Sequence, residues 1–348
     1  MNGSLPKNDS TNRDVKLEDL TKGETGRHGD GSCCPACQNA AGAVVQRIDL
    51  TSQHRQYTKD EALQRQLTTL ADIPNDMVEM VRCDSCGLEY ANPLIAPGAD
   101  WYGLVYGSLN LYPAKRWEFE FVLNTMSTGE TLGELGCGTG EFLRLCQQAR
   151  VQASGLDFSE QAVDACNRSG LVANVVDLDN ETTAFPRLIA PDVVVAFQVL
   201  EHLENPRALF SCARQWAASN GRLWIAVPSD RRPSRLLRES DFLDEPPHHM
   251  TRWTADALAR VAVGTDWHCR RIIYEPIDWS TKLWWISTRS ATYRRLNRAG
   301  LLRNRWVERA ARMTLAPATC LQSAIHSRLT SGQTMLAEYT GTDERISA

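Results

Sequence analysis

Residues 132–142 read LGELGCGTGEF, with three glycines at alternate positions: Gly136, Gly138 and Gly140. A glycine-rich turn between a strand and a helix lets the backbone approach a ligand closely. It also aims the first amides of the helix at that ligand. The dinucleotide fingerprint G-x-G-x-x-G would carry its third glycine one residue later. The flanks fit such a turn. TLGEL reads as a short strand, and GEFLRLCQQAR as a helix with Phe142, Leu145, Cys146 and Ala149 at helical spacing. Asp157 ends the next strand, 21 residues after Gly136, the usual place for a carboxylate that binds two ribose hydroxyls. The alternate spacing counts against a pyrophosphate, and so does Glu134, whose carboxylate repels phosphate. Both suit an adenosine-bearing cofactor with a positively charged amino-acid end.

Working outward, strands and helices alternate. ASGLDF is a strand and SEQAVDACNRSG a helix, with Ser159 as N-cap and Gly170 as its stop. LVANVVD is a third strand. PDVVVAFQVLEHL carries the nearly unbroken apolar run of a strand buried on both faces of a parallel sheet. NPRALFSCARQWAAS reads as a helix and RLWIAVPS as a fifth strand. This order predicts a doubly wound α/β sheet. Then come an irregular stretch, DRRPSRLLRESDFLDEPPHHM, and a helix in TRWTADALARVAVGT capped by Thr251 or Thr254. Strands follow in WHCRRIIYEP and GQTMLAEYTG, with a basic, helical insertion between them at residues 279–328. Upstream, AKRWEFEFVLNTM reads as a helix with Trp117, Phe121 and Met126 on one face. LIAPGADWYGLVYGSLNLYP, rich in Gly, Pro and aromatics, reads as a connector.

The ordered set ELGCGTGEF, GLDFS, DVVVAFQVLEHLENP and GRLWIAVPS resembles the class I S-adenosylmethionine-dependent methyltransferases, from residue 115 to about 275 and again at the final strand. The resemblance implies a Rossmann-like sheet and a role for each matching position. Glu134, Gly136, Cys137, Gly138 and Gly140 would shape the pocket for the methionine part. Asp157 would hold the ribose, with Phe158 beside the adenine. Asp177 would meet the adenine amino group, with Asp179 as its rival, and Gln198 would lie near the methionine end. Gly133 departs from the family, which places a large apolar residue there, so a looser first strand is expected.

The sulfonium of that cofactor is already an activated methyl donor. Such an enzyme mainly aligns a nucleophile and excludes water, and a general base helps a hydroxyl or an acidic carbon. Ligands of open α/β sheets sit at the C-terminal ends of strands, which puts Glu201 and His202 near the methyl. His248 and His249 follow the fifth strand, where a lid could close. His202, His249 and His248 are therefore the catalytic candidates, in a pattern that sugar C-methyltransferases resemble. Tyr102, Tyr106, Tyr112 and Arg116 are expected to wall the cofactor or the substrate.

Two C-x-x-C pairs, Cys34/Cys37 and Cys83/Cys86, precede this region. Four thiolates in tetrahedral array make a closed, structural zinc site. Gly87 suits the tight turn of the second knuckle, and Cys33 competes with Cys34 as a ligand. The separation of the pairs exceeds common zinc-ribbon spacing, so the segment between them must form its own excursion. The CGLEYANP stretch resembles an N-terminal element of methyltransferases found beside sugar and natural-product pathways.

The expected organisation is a disordered tail (1–30), a zinc-binding module (31–95), a connector and lead-in helix (96–130), and the methyltransferase domain (131–342). The 348 residues carry a net charge of −4, so the whole chain is no obvious nucleic-acid binder. No apolar run reaches a membrane span, and the first 30 residues lack a signal-peptide core, so a cytoplasmic location is expected. There the eleven cysteines stay reduced, and pairs suggest metal before disulfide. The basic insertion, with Trp279, Trp284, Trp285 and Trp306 in or beside it, suits a membrane interface or an anionic ligand. The expected function is methyl transfer to a small molecule such as a sugar, nucleotide-sugar or natural-product metabolite, at oxygen or carbon. RNA or protein methylation, with the zinc module and the insertion gripping a polymer, is the second reading. A non-catalytic cofactor-binding scaffold is the third.

Overall fold

The computed structural model describes residues 33–74, 76–109, 116–180, 189–236, 241–278 and 330–341, with short pieces between 281 and 314. The N-terminal part runs β1 (Ala43–Asp49), α1 (Leu50–Tyr57), α2 (Glu61–Ala71), β2 (Met77–Arg82), β3 (Glu89–Asn92), α3 (Ala99–Leu109) and α4 (Trp117–Thr125). Asp49 and Asp60 start α1 and α2 by accepting from the amides two and three residues on. β1 to α2 is the excursion that the cysteine spacing demanded.

The second part runs β4 (Leu132–Leu135), α5 (Glu141–Gln148), β5 (Ala153–Asp157), α6 (Glu160–Arg168), β6 (Ala173–Val175), β7 (Val193–Phe197), α7 (Pro206–Trp216), β8 (Arg222–Pro228), α8 (Pro233–Leu236), β9 (Thr251–Arg252), α9 (Ala255–Val261), β10 (Trp267–Tyr274), α10 (Ala291–Arg298) and β11 (Thr334–Gly341). Seven strands form one sheet in the order β10-β11-β8-β7-β4-β5-β6. Strands β4 to β8 are parallel, and β11 lies antiparallel between β8 and β10. The chain winds outward from β4 through β5 to β6 and then returns to β7 on the other side of β4. That reversal opens a crevice at the C-terminal ends of β4 and β7.

Alternation along the strands builds two cores. Leu135, Val194, Ala196, Leu223 and Ile225 face one layer of helices. Leu132, Val193, Val195, Trp224 and Ala226 face the other, with Phe119 of α4 and Phe142 of α5. All five β7 residues are buried. Gly133 does not loosen β4 as expected. A Cβ there would lie 2.7 Å from the Trp216 ring and 2.8 Å from Pro191, so the indole of α7 fills the space that the family's large residue would take.

A second, antiparallel sheet has the order β1-β2-β3-β9. Its last strand comes from beyond β8, so the cysteine-bearing part and the Rossmann-like part share a sheet. They share a core too: Cys34, Cys83 and Cys86 pack in one cluster with Trp253, Ala257 and Leu258. Of the two expected caps, Thr254 starts α9, accepting from the Ala257 amide while its hydroxyl donates to the Cys86 carbonyl at 2.7 Å.

Two readings change. The connector contains a helix, α3, which buries Trp101, Tyr102 and Val105. In α4 the buried face is Glu118, Phe119 and Val122, whereas Trp117 and Phe121 are only partly covered and Met126 falls at the C-cap. Much of the 279–328 insertion, including Trp279 and Trp284, lies outside the described residues, as do the 1–30 tail and Tyr112. Within the insertion, α10 is helical and Trp306 is 75% exposed. Among the described residues, no helix is long and apolar enough to cross a membrane.

Candidate active site

The glycine turn lies where β4 enters α5. Gly136 and Cys137 donate their amides to the Leu156 carbonyl, tying the turn to β5. Gly136 has φ +72°, and a Cβ there would stand 2.4 Å from Val199, so neither the conformation nor the space admits a side chain. Gly140 opens α5 against Leu171 and Cys166, and it shapes the turn from beneath without lining the cavity.

A single cavity runs along the crevice. At one end, Asp157 accepts from the Gly138 amide (2.8 Å) and the Ser159 amide (2.9 Å), which braces the turn against α6. Burial raises its carboxyl, opposed by these amides. Phe158 lines the same end and is 43% exposed, which leaves its ring face available to an adenine. Asp177 and Asp179 both line the wall, but Asp179 is engaged by the Asn205 amide ahead of α7. Asp177 accepts from the Asp179 amide and keeps an exposed carboxylate.

In the middle, Glu134 is 4% exposed, and its Oε2 is buried without a hydrogen-bond partner. Burial, with Cys166 and Asp157 nearby, pushes its carboxyl well above the ordinary range. An ammonium placed here would meet an orphaned buried acceptor, so the residues fit the amino-acid end of the expected cofactor. Gln198 follows β7 with φ +57°, an uncommon conformation outside glycine. Its amide lies 3.4 Å from Glu118 Oε1, and Arg116 reaches the same carboxylate at 3.7 Å. Glu118, buried and raised by desolvation, was not foreseen: on a helix ring of acids and aromatics, nothing in the sequence marks which acid turns inward.

Tyr102 and Tyr106 of α3 roof the cavity, the Tyr102 ring lying 6.1 Å from Phe158 and 5.1 Å from His202, which sits in a single 3-10 turn after β7. His248 and His249 stand behind His202 and do not line the main cavity. The three rings form one cluster, with centroids 4.7–5.0 Å apart. The His248 carbonyl is shared by His202 Nδ1 (2.6 Å) and the Tyr102 hydroxyl (3.2 Å), which pins α3 over the cavity. Burial, then the neighbouring rings, holds His202 well below the ordinary imidazole range, and burial brings His248 to about 3. Glu201, fully buried behind them, is raised to about 7 by burial. Asp244, missed in the sequence, contacts His249 Nδ1 at 3.4 Å and pairs with Arg232. Although burial opposes it, the His249 bond and the guanidiniums of Arg232 and Arg252 hold its carboxyl far below normal.

The cysteines converge as the spacing predicts. Cys34 Sγ lies 3.6 Å from Cys86 Sγ and Cys37 Sγ 3.6 Å from Cys83 Sγ, and all four sulfurs fall within 4.8 Å of one another. Cys33 stands outside this set, in a bridge to Ala40. Gly87, at φ +71°, turns the second knuckle, and Gln38, at φ +61°, does so in the first. No described cysteine is in a disulfide. The set matches a tetrahedral thiolate site for zinc.

Residues 117–270 match the family model described as a methyltransferase domain. Two curated relatives are ubiquinone biosynthesis O-methyltransferases. That of Methylococcus capsulatus is 26% identical over 108 residues, 30% of this chain and 46% of the relative. That of Paraburkholderia xenovorans is 29% identical over 103 residues, 28% of this chain and 43% of the relative. The chain thus spans less than half the length of the curated relatives it matches. A solved S-adenosylmethionine-dependent methyltransferase from Archaeoglobus fulgidus aligns with a TM-score of 0.44 and 17% identity, over 69% of this chain and all of that one.

Proposed function

We propose, on the premise that residues 117–270 are a class I S-adenosylmethionine-dependent methyltransferase domain, that this chain methylates a small molecule: a sugar, nucleotide sugar or related natural-product metabolite, at oxygen or carbon. One observation carries the reading. A single cavity joins the carboxylates of Asp157 and Asp177, the orphaned carboxylate of Glu134 and the ring of His202. Helix α3 roofs it through Tyr102, which spans from Phe158 to His202 and favours a compact acceptor over a polymer. The matched relatives are named for methylation of oxygen on a small molecule, which agrees.

In this reading Asp157 orients the ribose and Asp177 the adenine, and Glu134 neutralises the methionine ammonium. Bound S-adenosylmethionine supplies a methyl group on a positively charged sulfur. The protein's own work is to align the acceptor with that methyl and to keep water out. The phenyl rings of Phe119, Phe142 and Phe197 dry the cavity floor, and His202, kept neutral by burial, offers Nε2 where the acceptor's proton must leave. Cys34, Cys37, Cys83 and Cys86 hold a structural zinc. Four thiolates leave no open position, so that zinc serves the fold.

Calorimetric titration with S-adenosylmethionine and its demethylated product tests the cofactor. Binding is expected, and Asp157→Ala should weaken it by roughly 10- to 100-fold, the loss of a charged hydrogen bond. Transfer of labelled methyl to a panel of sugar, nucleotide-sugar and phenolic acceptors then tests the substrate class. Absence of binding at millimolar cofactor overturns the transferase reading. Methylation of RNA or protein, with none of the small acceptors, overturns the substrate class.

A further inference from the structure

The histidine cluster ends in lone pairs that nothing satisfies. A backbone carbonyl only accepts, so the His202 Nδ1 that lies 2.6 Å from the His248 carbonyl carries the hydrogen. The same holds for His248 Nδ1, 2.8 Å from the Leu243 carbonyl. His249 Nδ1 faces the Asp244 carboxylate at 3.4 Å. A neutral imidazole has one ring proton, so His202 and His248 each keep a bare lone pair on Nε2. His202 Nε2 and His248 Nε2 are buried without a hydrogen-bond partner. One ring nitrogen from each of the three lies within 4.8 Å of the others. Beside them, both carboxylate oxygens of fully buried Glu201 are also without a hydrogen bond, and Oε1 lies 4.0 Å from His249 Nε2. Such a convergence of acceptors is costly unless an electron-poor partner sits among them.

We propose that His202, His248 and His249 bind one divalent first-row transition-metal ion, through Nε2 of His202 and His248 and one ring nitrogen of His249, with Glu201 as the adjacent anion. Three imidazoles with an open position are a catalytic rather than a structural ligand set, and imidazole suits zinc, copper, nickel or iron over magnesium or calcium. The Nδ1 partners of His202 and His248 are the outer contacts that hold metal-binding histidines in one tautomer. His202 is the member that lines the cavity, so the ion would lie behind that wall. The site rests on the rings and not on the transferase reading.

Metal analysis of the full-length protein, purified without chelator and then equilibrated with Co2+, tests the site. A second equivalent is expected beyond that held by the cysteines. Its visible bands should lack the thiolate-to-metal charge transfer of the first. His249→Gln, chosen because its outer contact is the longest of the three, should lose that equivalent and those bands. It should keep the thiolate signal and S-adenosylmethionine binding. Wild-type protein that binds metal only at its cysteines overturns the inference and leaves His202 to meet the acceptor's proton directly. A His249→Gln protein that retains the second equivalent also overturns it. Metal content and cofactor binding are read separately, so a second equivalent without cofactor binding fails the transferase reading and spares the site.

Discussion

At the scale of single residues, position is decided by what lies opposite. Gly133 looks like a defect in β4, yet its missing side chain is the socket for Trp216, 83 residues away in the sequence. Gly133→Leu should therefore destabilise the protein by about 1–3 kcal/mol through overpacking, where a loose strand would have gained from the larger side chain. A lower thermal midpoint for the variant checks it. The acids of the cavity divide between legible and hidden in the same way. Glu134 and Asp157 stand at fixed offsets from the glycine turn, so the sequence points to them. The distinction between Asp177 and Asp179 depends on the Asn205 amide, and the inward turn of Glu118 on the packing of α4. Neither contact leaves a periodic trace.

Among elements, those whose patterns follow from burial on the main sheet are readable, since β4, β5, β7 and β8 alternate or run apolar as strands between two helix layers must. Helix α3 escapes because Gly103 and Gly107 interrupt it and lower its helical propensity. Burial of Trp101 and Val105 overrides that propensity. The join between β3 and β9 is equally hidden, since two residues carry no period. It is secured by charge. Glu89 on β3 is met by Arg82, by Arg235 at 2.7 Å and by Arg252 of β9 at 3.3 Å. Burial would raise its carboxyl, but these guanidiniums bring it to about 2, below its ordinary 4.5. A lowered pKa contributes stability that is fully present above 4.5 and is lost as pH falls toward 2. Its share is on the order of 2 kcal/mol after discounting for partial solvent access. Glu89→Gln should therefore be clearly less stable than wild type at pH 7. The two denaturation midpoints should converge between pH 4.5 and 2; a gap that stays constant with pH would contradict the assignment.

For the whole molecule, the fold class and the order of the main sheet are expected from the alternation of elements, and the paired cysteines from their spacing. What spacing cannot convey is that the cysteine module shares a core with the Rossmann-like part. Cys86 is bonded through its carbonyl to the cap of α9, and β9 lies only two residues beyond His249. Chelation should therefore be felt far from the thiolates. Removal of the metal proposed at the four thiolates is expected to lower the main thermal transition as well as to loosen β1–β3. Calorimetry before and after treatment with a chelator, with zinc added back, measures it.

The two-residue strand β9 also sets a timetable for synthesis. Residues 43–92 leave the ribosome early, but their sheet lacks its fourth strand until residues 251–252 have emerged. The 158 residues between β3 and β9 must be made before that edge is covered. During elongation β3 exposes an unpaired edge, a site for misassembly. Early capture of metal by the cysteines would hold the hairpin of β2 and β3 together while the rest of the chain arrives. Zinc supply during translation, more than zinc content afterwards, should then govern the yield of folded protein.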